Sequence, residues 1–312
     1  MICFPISDLL NEQASYNFLS SVLHPPEGLK CKHGHPLLPG QLPHNYNRAP
    51  LVNYRCQQCG NVFNLFTNTV WQGTHYSCST VVLVMRGIAQ GTPTRQWADE
   101  LNLDYGTLLE NRHKIQSLGL SNQPHDRLSD EITEADEMFQ NAGEKGTKHD
   151  DPNDPPRYRA NRRRGIGTME NDRPPVIGVV GRTTGQIRLT VGENTQQTTV
   201  QPHVEATTQA TGILNTDESR AYSGIDRKHH TVCHSRREYA RDEDKDGFCE
   251  VHCNTMEGIW TGLRNFLRPF RGVHKKYLAL YVAMFEWAHN LKRVTDNFLR
   301  ALMIPNFTYL PI

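Results

Sequence analysis

The amino-acid sequence predicts an α/β fold in which a mixed sheet is flanked by helices and preceded by a small cysteine-containing domain and a pair of short helices. Three observations carry this prediction. Cysteines and histidines occur at metal-ligand spacing between residues 31 and 59, two helical segments joined by a tight turn follow at 92–116, and from residue 131 onward strand patterns alternate with helix patterns. Such alternation builds layers of helix against sheet and not a helical bundle.

Composition identifies an ordinary globular chain that is long enough for two or three domains. Of its 312 residues, 37% are hydrophobic and 21% are charged, and the net charge is +1; these values exclude a disordered or fibrous protein. No stretch approaches the roughly 20 apolar residues of a membrane helix, and the first residues lack the features of a signal peptide. We therefore expect a cytoplasmic protein that works without a membrane and keeps its thiols reduced.

The predicted small domain spans residues 28–72, where the chain is rich in Gly, Pro and Asn and has little periodicity. This composition suits a fold held together by a metal ion more than by a core. Structural zinc takes four ligands from two knuckles. The second knuckle is a regular C-x-x-C, whereas Gly34 stands where the first would place its second cysteine. Either of two histidines supplies the missing ligand, and the spacing leaves the choice open; the alternative is a loop with incidental thiols and histidines. The candidate zinc ligands are Cys31, His33, His35, Cys56 and Cys59.

A helix-turn-helix is predicted within residues 73–122, after an N-terminal helical segment at 1–27 and the small domain. Thr92 and Pro93 have the pattern of an N-cap followed by proline at the first helical position, and a break at 102–104 separates this helix from the next. In a helix-turn-helix the second helix enters the major groove of DNA; a plain helical hairpin is the alternative. The side chains expected at base edges are Tyr105, Thr107 and Asn111, and those expected at phosphates are Arg112 and Lys114.

Acidic residues in the last and largest region have the placement of a two-metal site. Asp136 lies on the first predicted strand, and Asp217 ends a later strand. Glu257 lies on a helix after the sheet, one turn beyond Asn254 on the same face. Two or three carboxylates suffice to hold a pair of Mg²⁺ ions about 3.5–4 Å apart for phosphoryl transfer, and Arg264, two turns further on, is suited to a DNA phosphate. A chain with 33 acidic residues also offers such a triple by chance, so spacing alone does not establish the site.

Five segments of this region are distinctive in sequence. They are DEMFQNAGEKG from Asp136, NDRPPVIGVVG from Asn171, TDESRAY from Thr216, HHTVCH from His229, and HCNTMEGIW from His252 with TGLRNFL behind it. Together they resemble a family of prokaryotic insertion-sequence transposases, and the H-x-N-T-x-E-G-x-W pattern is quite specific. The resemblance covers most of residues 28–300.

The resemblance implies a zinc ribbon, a helix-turn-helix and an RNase H-like catalytic domain, the last at residues 123–312. It implies that Asp136 and Asp217 are the first two catalytic acids. The third stays open, because the family pattern contains both an asparagine and a glutamate. Carboxylate chemistry favours Glu257, with Asn254 as an alternative or supporting ligand.

The activity that the resemblance implies is that of a DNA transposase with two Mg²⁺ or Mn²⁺ ions and a structural Zn²⁺. Such an enzyme cleaves DNA at the ends of its insertion element and transfers the 3′-hydroxyl into target DNA. The implied partners are double-stranded DNA, as terminal inverted repeats and as target, and further copies of the chain, at the nucleoid. Two alternatives remain: a catalytically silent, transposase-derived DNA-binding regulator, and a nuclease of the same fold without joining activity.

Three further stretches lie outside these motifs. Residues 242–247 match the first half of a calcium-binding loop, but Cys253 stands where such a loop needs a bidentate glutamate, so we expect a solvated loop. The basic excursion at 144–175 either contacts DNA phosphates or is a solvated segment. Its candidate contacts are Arg162, Arg163 and Arg164. The last long helix, at 277–302, is apolar on one face, for which we expect core packing.

Overall fold

The computed structural model describes residue 6 and residues 11–24, 28–144, 152–153 and 165–309. The chain divides into two compact units, Met1–Pro124 together with Leu291–Ile312, and His125–Asn290. The arginines predicted to contact phosphates at Arg162, Arg163 and Arg164 lie outside the described residues. Within the described part of the chain, no helix has both the length and the apolarity needed to cross a membrane.

The first unit is mainly helical. Its elements are α1 (Glu12–Leu23), β1 (Tyr54–Arg55), β2 (Val62–Phe63), α2 (Cys78–Gln90), α3 (Thr94–Leu101) and α4 (Tyr105–Ser121). The two short strands form an antiparallel hairpin, α1 packs against α2, and α3 packs against α4. Glu12 of α1 also caps α2, because its carboxylate accepts the backbone N–H groups of Cys78 and Ser79 at 2.6 and 2.9 Å.

The second unit is built on a five-stranded mixed sheet. Its elements are β3 (Ile132–Phe139), β4 (Pro175–Gly181), β5 (Ile187–Val191), α5 (Gln197–Thr207), β6 (Ile213–Asp217), β7 (His229–Val232), β8 (Ala240–Arg241), β9 (Val251–His252), α6 (Asn254–Leu267) and α7 (Leu278–Leu291). The strand order is β5-β4-β3-β6-β7. The first three strands run antiparallel to their neighbours, and β6 and β7 continue the sheet parallel to β3.

Helices cover both faces of this sheet. Alternate residues of β4 divide between two cores: Val176 and Val180 pack with α6 and α7, whereas Ile177 and Val179 pack with α5. The apolar face of α7 is buried in the first of these cores, as expected from its sequence. A mixed sheet with helices on both faces confirms the predicted α/β, RNase H-like fold class.

The helix α8 (Asp296–Met303) returns the chain to the first unit. Its apolar face is buried, and it packs against α1 and α4. The side-chain amide of Asn122 also donates to the carbonyl oxygen of Ala301 at 2.8 Å. The sequence predicts a catalytic domain at residues 123–312, whereas these contacts group Leu291–Ile312 with the first unit. Periodicity shows that a helix has an apolar face but not which helices will bury it.

The helix α7 protects the free edge of β5. Glu286 Oε2 accepts the backbone N–H of Leu189 at 2.7 Å, and Asn290 Oδ1 accepts that of Ile187 at 2.8 Å. The amide of Asn290 also donates to the carbonyl oxygen of Ile187 at 3.0 Å. Because an unprotected edge strand offers unpaired donors and acceptors to other chains, these two side chains, one turn apart, replace a missing strand.

Candidate active site

Asp136 and Asp217 occupy neighbouring positions on adjacent parallel strands. The register of β3 and β6 pairs Glu134 with Asn215, and two residues further along each strand come the two aspartates. Paired residues of a sheet project to the same face, as do residues two apart on one strand. Both aspartates therefore project to the face that α6 covers, Asp136 from the middle of β3 and Asp217 from the carboxyl end of β6.

Hydrogen bonds hold one oxygen of each aspartate. Trp260 Nε1, on α6, donates to Asp136 Oδ2 at 2.7 Å, and the backbone N–H of Ser219 donates to Asp217 Oδ1 at 2.9 Å. Room for the indole comes from Gly178, which pairs with Asp136 on β4: a β-carbon there would lie 2.5 Å from Trp260 Cη2. Each aspartate thus keeps its second oxygen outside these hydrogen bonds.

The charges of the three acids act on one another. Burial raises the pKa of Asp136 to about 6, and the negative charges of Asp217 and Glu257 add to the increase. The indole N–H of Trp260 acts in the opposite direction. Glu257 therefore belongs to the same electrostatic cluster as the two aspartates. A bound divalent cation would relieve this repulsion, because a nearby positive charge favours the ionised carboxylate.

Glu134 holds the first turn of α6 in place from β3. Its buried carboxylate accepts the backbone N–H groups of Thr255 and Met256 at 2.9 and 3.1 Å, and the hydroxyl of Thr255 at 2.7 Å. These N–H groups have no acceptor inside the helix, and a carboxylate at a helix N-terminus also complements the helix dipole. Glu134 therefore fixes the part of α6 that carries Asn254 and Glu257.

Arg182 also helps to hold the start of α6 in place, because it binds Glu134 and the segment before the helix. Its Nε lies 2.8 Å from Glu134 Oε1, on a carboxylate that is 0% exposed. Its Nη2 donates to the carbonyl oxygen of His252 at 2.8 Å, and its Nη1 donates to that of Glu250. A buried carboxylate without such a partner is costly, because its charge has lost the solvation of water. Arg182 thereby links β3 to β9, directly before α6 begins.

The opposite face of β3 carries a second buried acid, Glu137. Burial raises its pKa to about 8, and the charges of Asp136 and Asp217 add to the increase. The hydroxyl of the buried Tyr222 acts on this pKa in the opposite direction. At this pKa the Glu137 carboxyl is mostly protonated near neutral pH, so it adds little negative charge beneath the aspartates.

Sequence reasoning did not identify three of these supporting residues, namely Glu134, Glu137 and Trp260. The spacing of residues along the chain could have indicated two of them, Glu134 and Trp260. Glu134 precedes Asp136 by two residues and so shares its face of the strand, and Trp260 follows Glu257 by three residues and so lies near it on the helix. Spacing places side chains on a face, but it does not show which of them will bond across the sheet–helix boundary.

The donor set fits a pair of hard divalent ions. Two groups of described side chains bring their metal-ligating atoms within 4.8 Å of one another, and the acids of this site form neither group. Mg²⁺ and Mn²⁺ prefer carboxylate oxygens of the kind that Asp136, Asp217 and Glu257 supply.

The first close group of ligand atoms lies in the predicted zinc ribbon. Its members are Cys31, His35, Cys56 and Cys59. His33 is exposed and does not belong to the group. The reason is the turn at Gly34, which adopts a left-handed conformation with φ of 82° and donates its N–H to the Cys31 carbonyl at 2.8 Å. The turn brings His35 back towards Cys31, so the geometry favours His35 over His33.

The thiol of Cys59 has a lowered pKa, which favours the thiolate form. The backbone and side-chain N–H groups of Asn61 lower the pKa of Cys59 to about 6, and Asn61 Nδ2 lies 3.2 Å from Cys59 Sγ. The thiolate is the form of cysteine that binds zinc, and outer hydrogen bonds of this kind orient the ligand. The cluster thus offers three sulfurs and one imidazole nitrogen, a set typical of structural zinc.

The predicted helix-turn-helix corresponds to α3 and α4. The exposed candidates on α4 are Tyr105, Thr107 and Lys114, with Asn111 partly exposed. Arg112 was predicted at phosphates, and this prediction is wrong because its side chain is fully buried. Its guanidinium lies 5.2 Å from the ring centroid of Trp97 and donates to the carbonyl oxygen of Thr92. Position 112 falls on the face of α4 that packs against α3, where a cation stacks on an aromatic ring.

The second close group of ligand atoms lies in the acidic loop at residues 242–250. Its members are Asp242, Asp244 and Glu250. Backbone N–H groups of the loop itself bond to the acids, among them those of Lys245 and Gly247 to Asp242 at 2.6 and 2.9 Å. Residues 243–249 are exposed, as expected of a solvated loop that closes on its own backbone.

Comparison with known proteins identifies the family. The ISXO2-like transposase domain matches residues 128–290, nearly the same residues as the second compact unit, His125–Asn290. An uncharacterized protein in transposable element ISH50 of Halobacterium salinarum is 29% identical over 238 residues, which cover 75% of this chain and 76% of the relative.

Among the solved structures that match, we consider one, which has low similarity to this chain. It is the simian T-cell lymphotropic virus intasome in complex with PP2A regulatory subunit B56 gamma, at 12% identity over 74% of this chain and 77% of that chain. Its TM-score of 0.30 is too low to relate the two folds. The family match, in contrast, spans more than half of the residues, and the chain therefore belongs to the ISXO2-like transposases.

Proposed function

We propose that this protein cleaves DNA at the ends of its insertion element and transfers the freed 3′-hydroxyl into target DNA, with Asp136, Asp217 and Glu257 as the catalytic acids. The observation that carries the proposal is the register of β3 and β6, which sets the two aspartates side by side on the face covered by α6. The family assignment supports a transposase as the class of protein. A DDE-type site is the chemistry that this arrangement of carboxylates serves best.

Both steps are in-line phosphoryl transfers, with water as the nucleophile in the first and the 3′-hydroxyl in the second. When bound, a pair of Mg²⁺ or Mn²⁺ ions activates the nucleophile and stabilises the leaving oxygen. Asp136 and Asp217 would hold the ions, since Trp260 and Ser219 each bond to only one of the two oxygens of these carboxylates. Arg264, exposed on α6, binds a phosphate of the substrate and so helps to orient the scissile bond.

Glu257 is proposed as the third acid and Asn254 as its support. The carboxylate of Glu257 acts electrostatically on Asp136, and a charged ligand binds Mg²⁺ more strongly than a neutral amide. Both residues are exposed on the first turns of α6. We expect Glu257→Gln to lower cleavage by at least about 100-fold and Asn254→Ala by less. The reverse order would assign the third position to Asn254.

Recognition of the insertion-element ends is proposed for the first unit. A structural Zn²⁺ on Cys31, His35, Cys56 and Cys59 would hold the ribbon, and α4 would enter the major groove with Tyr105, Thr107, Asn111 and Lys114 available to DNA. Two ends must be brought together for transposition, so we propose an oligomer on double-stranded DNA, at the nucleoid of a prokaryotic cell.

A strand-transfer assay tests the proposal directly. The substrate is a labelled duplex that ends in the terminal repeat bordering this gene, with plasmid as target and Mg²⁺ or Mn²⁺ present. We expect cleaved and joined products from the wild type and from Asp246→Asn, an exposed acid outside the site. We expect neither product from Asp136→Asn or Asp217→Asn.

The products also separate the alternatives. Cleavage without joined products indicates a nuclease of the same fold. Specific binding without any cleavage indicates a catalytically silent regulator. Full activity of Asp136→Asn or Asp217→Asn contradicts the assignment of the catalytic acids.

A further inference from the structure

The outward face of α6 is a continuous exposed surface that begins at the candidate catalytic acids. Apart from Gly258, which directly follows Glu257, its residues recur every three or four positions along the helix and its following turn, and all are exposed. They are Glu257, Gly258, Thr261, Arg264, Arg268 and Arg271. We call this set the α6 strip.

Beyond Glu257 the charges of the α6 strip are positive. Arg264, Arg268 and Arg271 are exposed, and none of the three forms an ion pair with a residue that the structure describes. Glu257 is the one acid in the sequence of α6 itself. A row of exposed arginines that leads away from phosphoryl-transfer acids complements a phosphate backbone, whose charges attract such cations and release counterions on binding.

The two glycines of α6 differ in whether packing accounts for them. At Gly262 a β-carbon would lie 3.3 Å from Phe285 Cζ, so the absence of a side chain lets α6 approach α7 closely. At Gly258 a β-carbon would meet nothing within 4 Å among the described residues. Glycine inside a helix is unfavourable relative to alanine, so Gly258 carries a cost for which the described fold shows no packing benefit.

We propose that the DNA strand carrying the scissile phosphate lies along the α6 strip, with its sugar-phosphate backbone against the bare helix surface at Gly258. The inference rests on the proposed role of Glu257 and adds to it the path of the substrate strand. Gly258 directly follows Glu257, so the bare surface lies where the strand must approach most closely. Glycine serves such positions because it lets a ligand reach the protein backbone.

The helix geometry sets where the arginines meet the strand. At 1.5 Å per residue, Arg264 lies about 10 Å and Arg268 about 16 Å along the helix axis from Glu257. At 3.4 Å per step of duplex, these distances correspond to roughly three and five steps from the scissile phosphate. Arg264 and Arg268 therefore bind separate phosphates, about two steps apart, on one side of the cleavage point, and Arg271 extends the same surface.

A size series at Gly258 tests the close approach. Gly258→Ala, Gly258→Ser and Gly258→Leu are compared with the wild type for cleavage of the labelled terminal-repeat duplex and for thermal unfolding. We expect cleavage by Gly258→Ala to fall about 10- to 100-fold, since small displacements of substrate have effects of this size, with a further fall for leucine. The thermal midpoint of Gly258→Ala should stay equal or rise.

Gly262→Ala is the matched control on the same helix. It should change thermal stability through its contact with Phe285, without the selective loss of cleavage. The close approach is contradicted if Gly258→Ala cleaves DNA as fast as the wild type. It is also contradicted if the loss of cleavage is explained by a lower thermal midpoint.

Salt dependence of binding tests the arginines without requiring chemistry. Binding of the same duplex is measured with Ca²⁺ in place of Mg²⁺ over a range of salt concentrations. Each of Arg264→Ala, Arg268→Ala and Arg271→Ala should lower the slope of log affinity against log salt by about 0.9, the value for one lost phosphate contact. Arg293→Ala, an exposed arginine outside the strip, should leave the slope unchanged.

The cleavage experiment and the salt-dependence experiment together distinguish failure of this inference from failure of the proposed function. If the wild type cleaves, Asp136→Asn does not, and the strip variants match the wild type in slope and rate, the strand takes another path and this inference is wrong. If the wild type does not cleave, the proposed function fails, while the salt slopes still decide whether DNA lies on the strip. An effect of the arginine variants on self-association with unchanged slopes counts against DNA as the occupant.

Discussion

Single hydrogen bonds decide which carboxylate oxygens of the candidate site are available to a metal ion. The indole of Trp260 holds one oxygen of Asp136, and the backbone N–H of Ser219 holds one oxygen of Asp217. Outer partners of this kind orient metal ligands and are often as important as the ligands themselves. At the residue scale, the geometry of the candidate site therefore depends on Trp260 and Ser219, which are not among the proposed metal ligands.

Trp260→Phe keeps an aromatic ring but removes the N–H donor together with part of the indole. A hydrogen bond to a charged group contributes about 1.5–3 kcal/mol, so we expect the Mg²⁺ concentration for half-maximal cleavage to rise about tenfold or more. Trp287→Phe removes a different buried indole, on α7, and should leave the metal requirement unchanged. An unaltered Mg²⁺ requirement in Trp260→Phe would mean that the indole does not orient Asp136.

Buried glutamates position helices of the catalytic unit. At the scale of elements, Glu134 of β3 holds the first turn of α6, and Glu286 of α7 holds the edge of β5. Each bond joins a side chain to backbone N–H groups that the helix or sheet leaves without a partner. The relative placement of α6 and the sheet, on which the acidic cluster depends, therefore rests on a few polar contacts as well as on the apolar core.

Glu134→Gln tests the anchorage of α6. Loss of one partner from a buried ion pair destabilises by about 3–5 kcal/mol, and Arg182 would be the uncompensated partner. We expect a lower free energy of unfolding in urea and slower cleavage. Thr255→Val removes only the hydroxyl contact and should cost about 1 kcal/mol. Glu131→Gln, exposed just before the same strand, is the control; equal stability of Glu134→Gln and Glu131→Gln would contradict the anchoring role.

Glu286 predicts a pH-dependent stability. Burial raises its pKa from 4.5 to about 7, so the folded protein holds this proton more tightly than the unfolded chain does. The free energy of unfolding should therefore fall as pH rises between these two values and be independent of this group at higher pH. Glu286→Gln stays neutral and should gain about 1–3 kcal/mol relative to the wild type across that interval. A constant difference between the two proteins from acidic to neutral pH would refute the assignment.

The whole molecule consists of two compact units with separate proposed tasks. The first contains the Cys/His cluster with α3 and α4, and the second contains the acidic cluster and nearly coincides with the family match. The cluster has its own small apolar core around Phe63. Domains with so little core generally depend on a bound metal for folding energy, and we propose the same for this ribbon.

Zinc content distinguishes the two histidines and tests this dependence. His35→Asn should lose the bound zinc, whereas His33→Asn, the exposed neighbour outside the cluster, should keep it. Because structural zinc contributes folding energy directly, calorimetry should show a lower unfolding temperature for the first unit of His35→Asn and an unchanged transition for the second. Equal zinc content in the two variants would contradict the ligand assignment.

The sequence by itself determined the features that depend on local patterns. The strands that carry Asp136 and Asp217, the helix of Glu257 and the C-x-x-C at Cys56 and Cys59 were all predicted, and the structure contains β3, β6 and α6 at these positions. Such features follow from contacts within a few residues along the chain, which propensity and spacing report. The motif around Glu257 also carried the resemblance that the family match confirms. The single helix predicted at 277–302 is instead two helices, α7 and α8.

Tertiary structure alone decided the features that depend on residues far apart in the chain. The turn at Gly34 favours His35 over His33, and packing against Trp97 buries Arg112, which the sequence had placed at DNA. Likewise, only the folded sheet shows that Trp260 and Glu134 support the acidic cluster. Burial and long-range hydrogen bonds arise when distant segments meet, and local patterning carries no record of which segments those are.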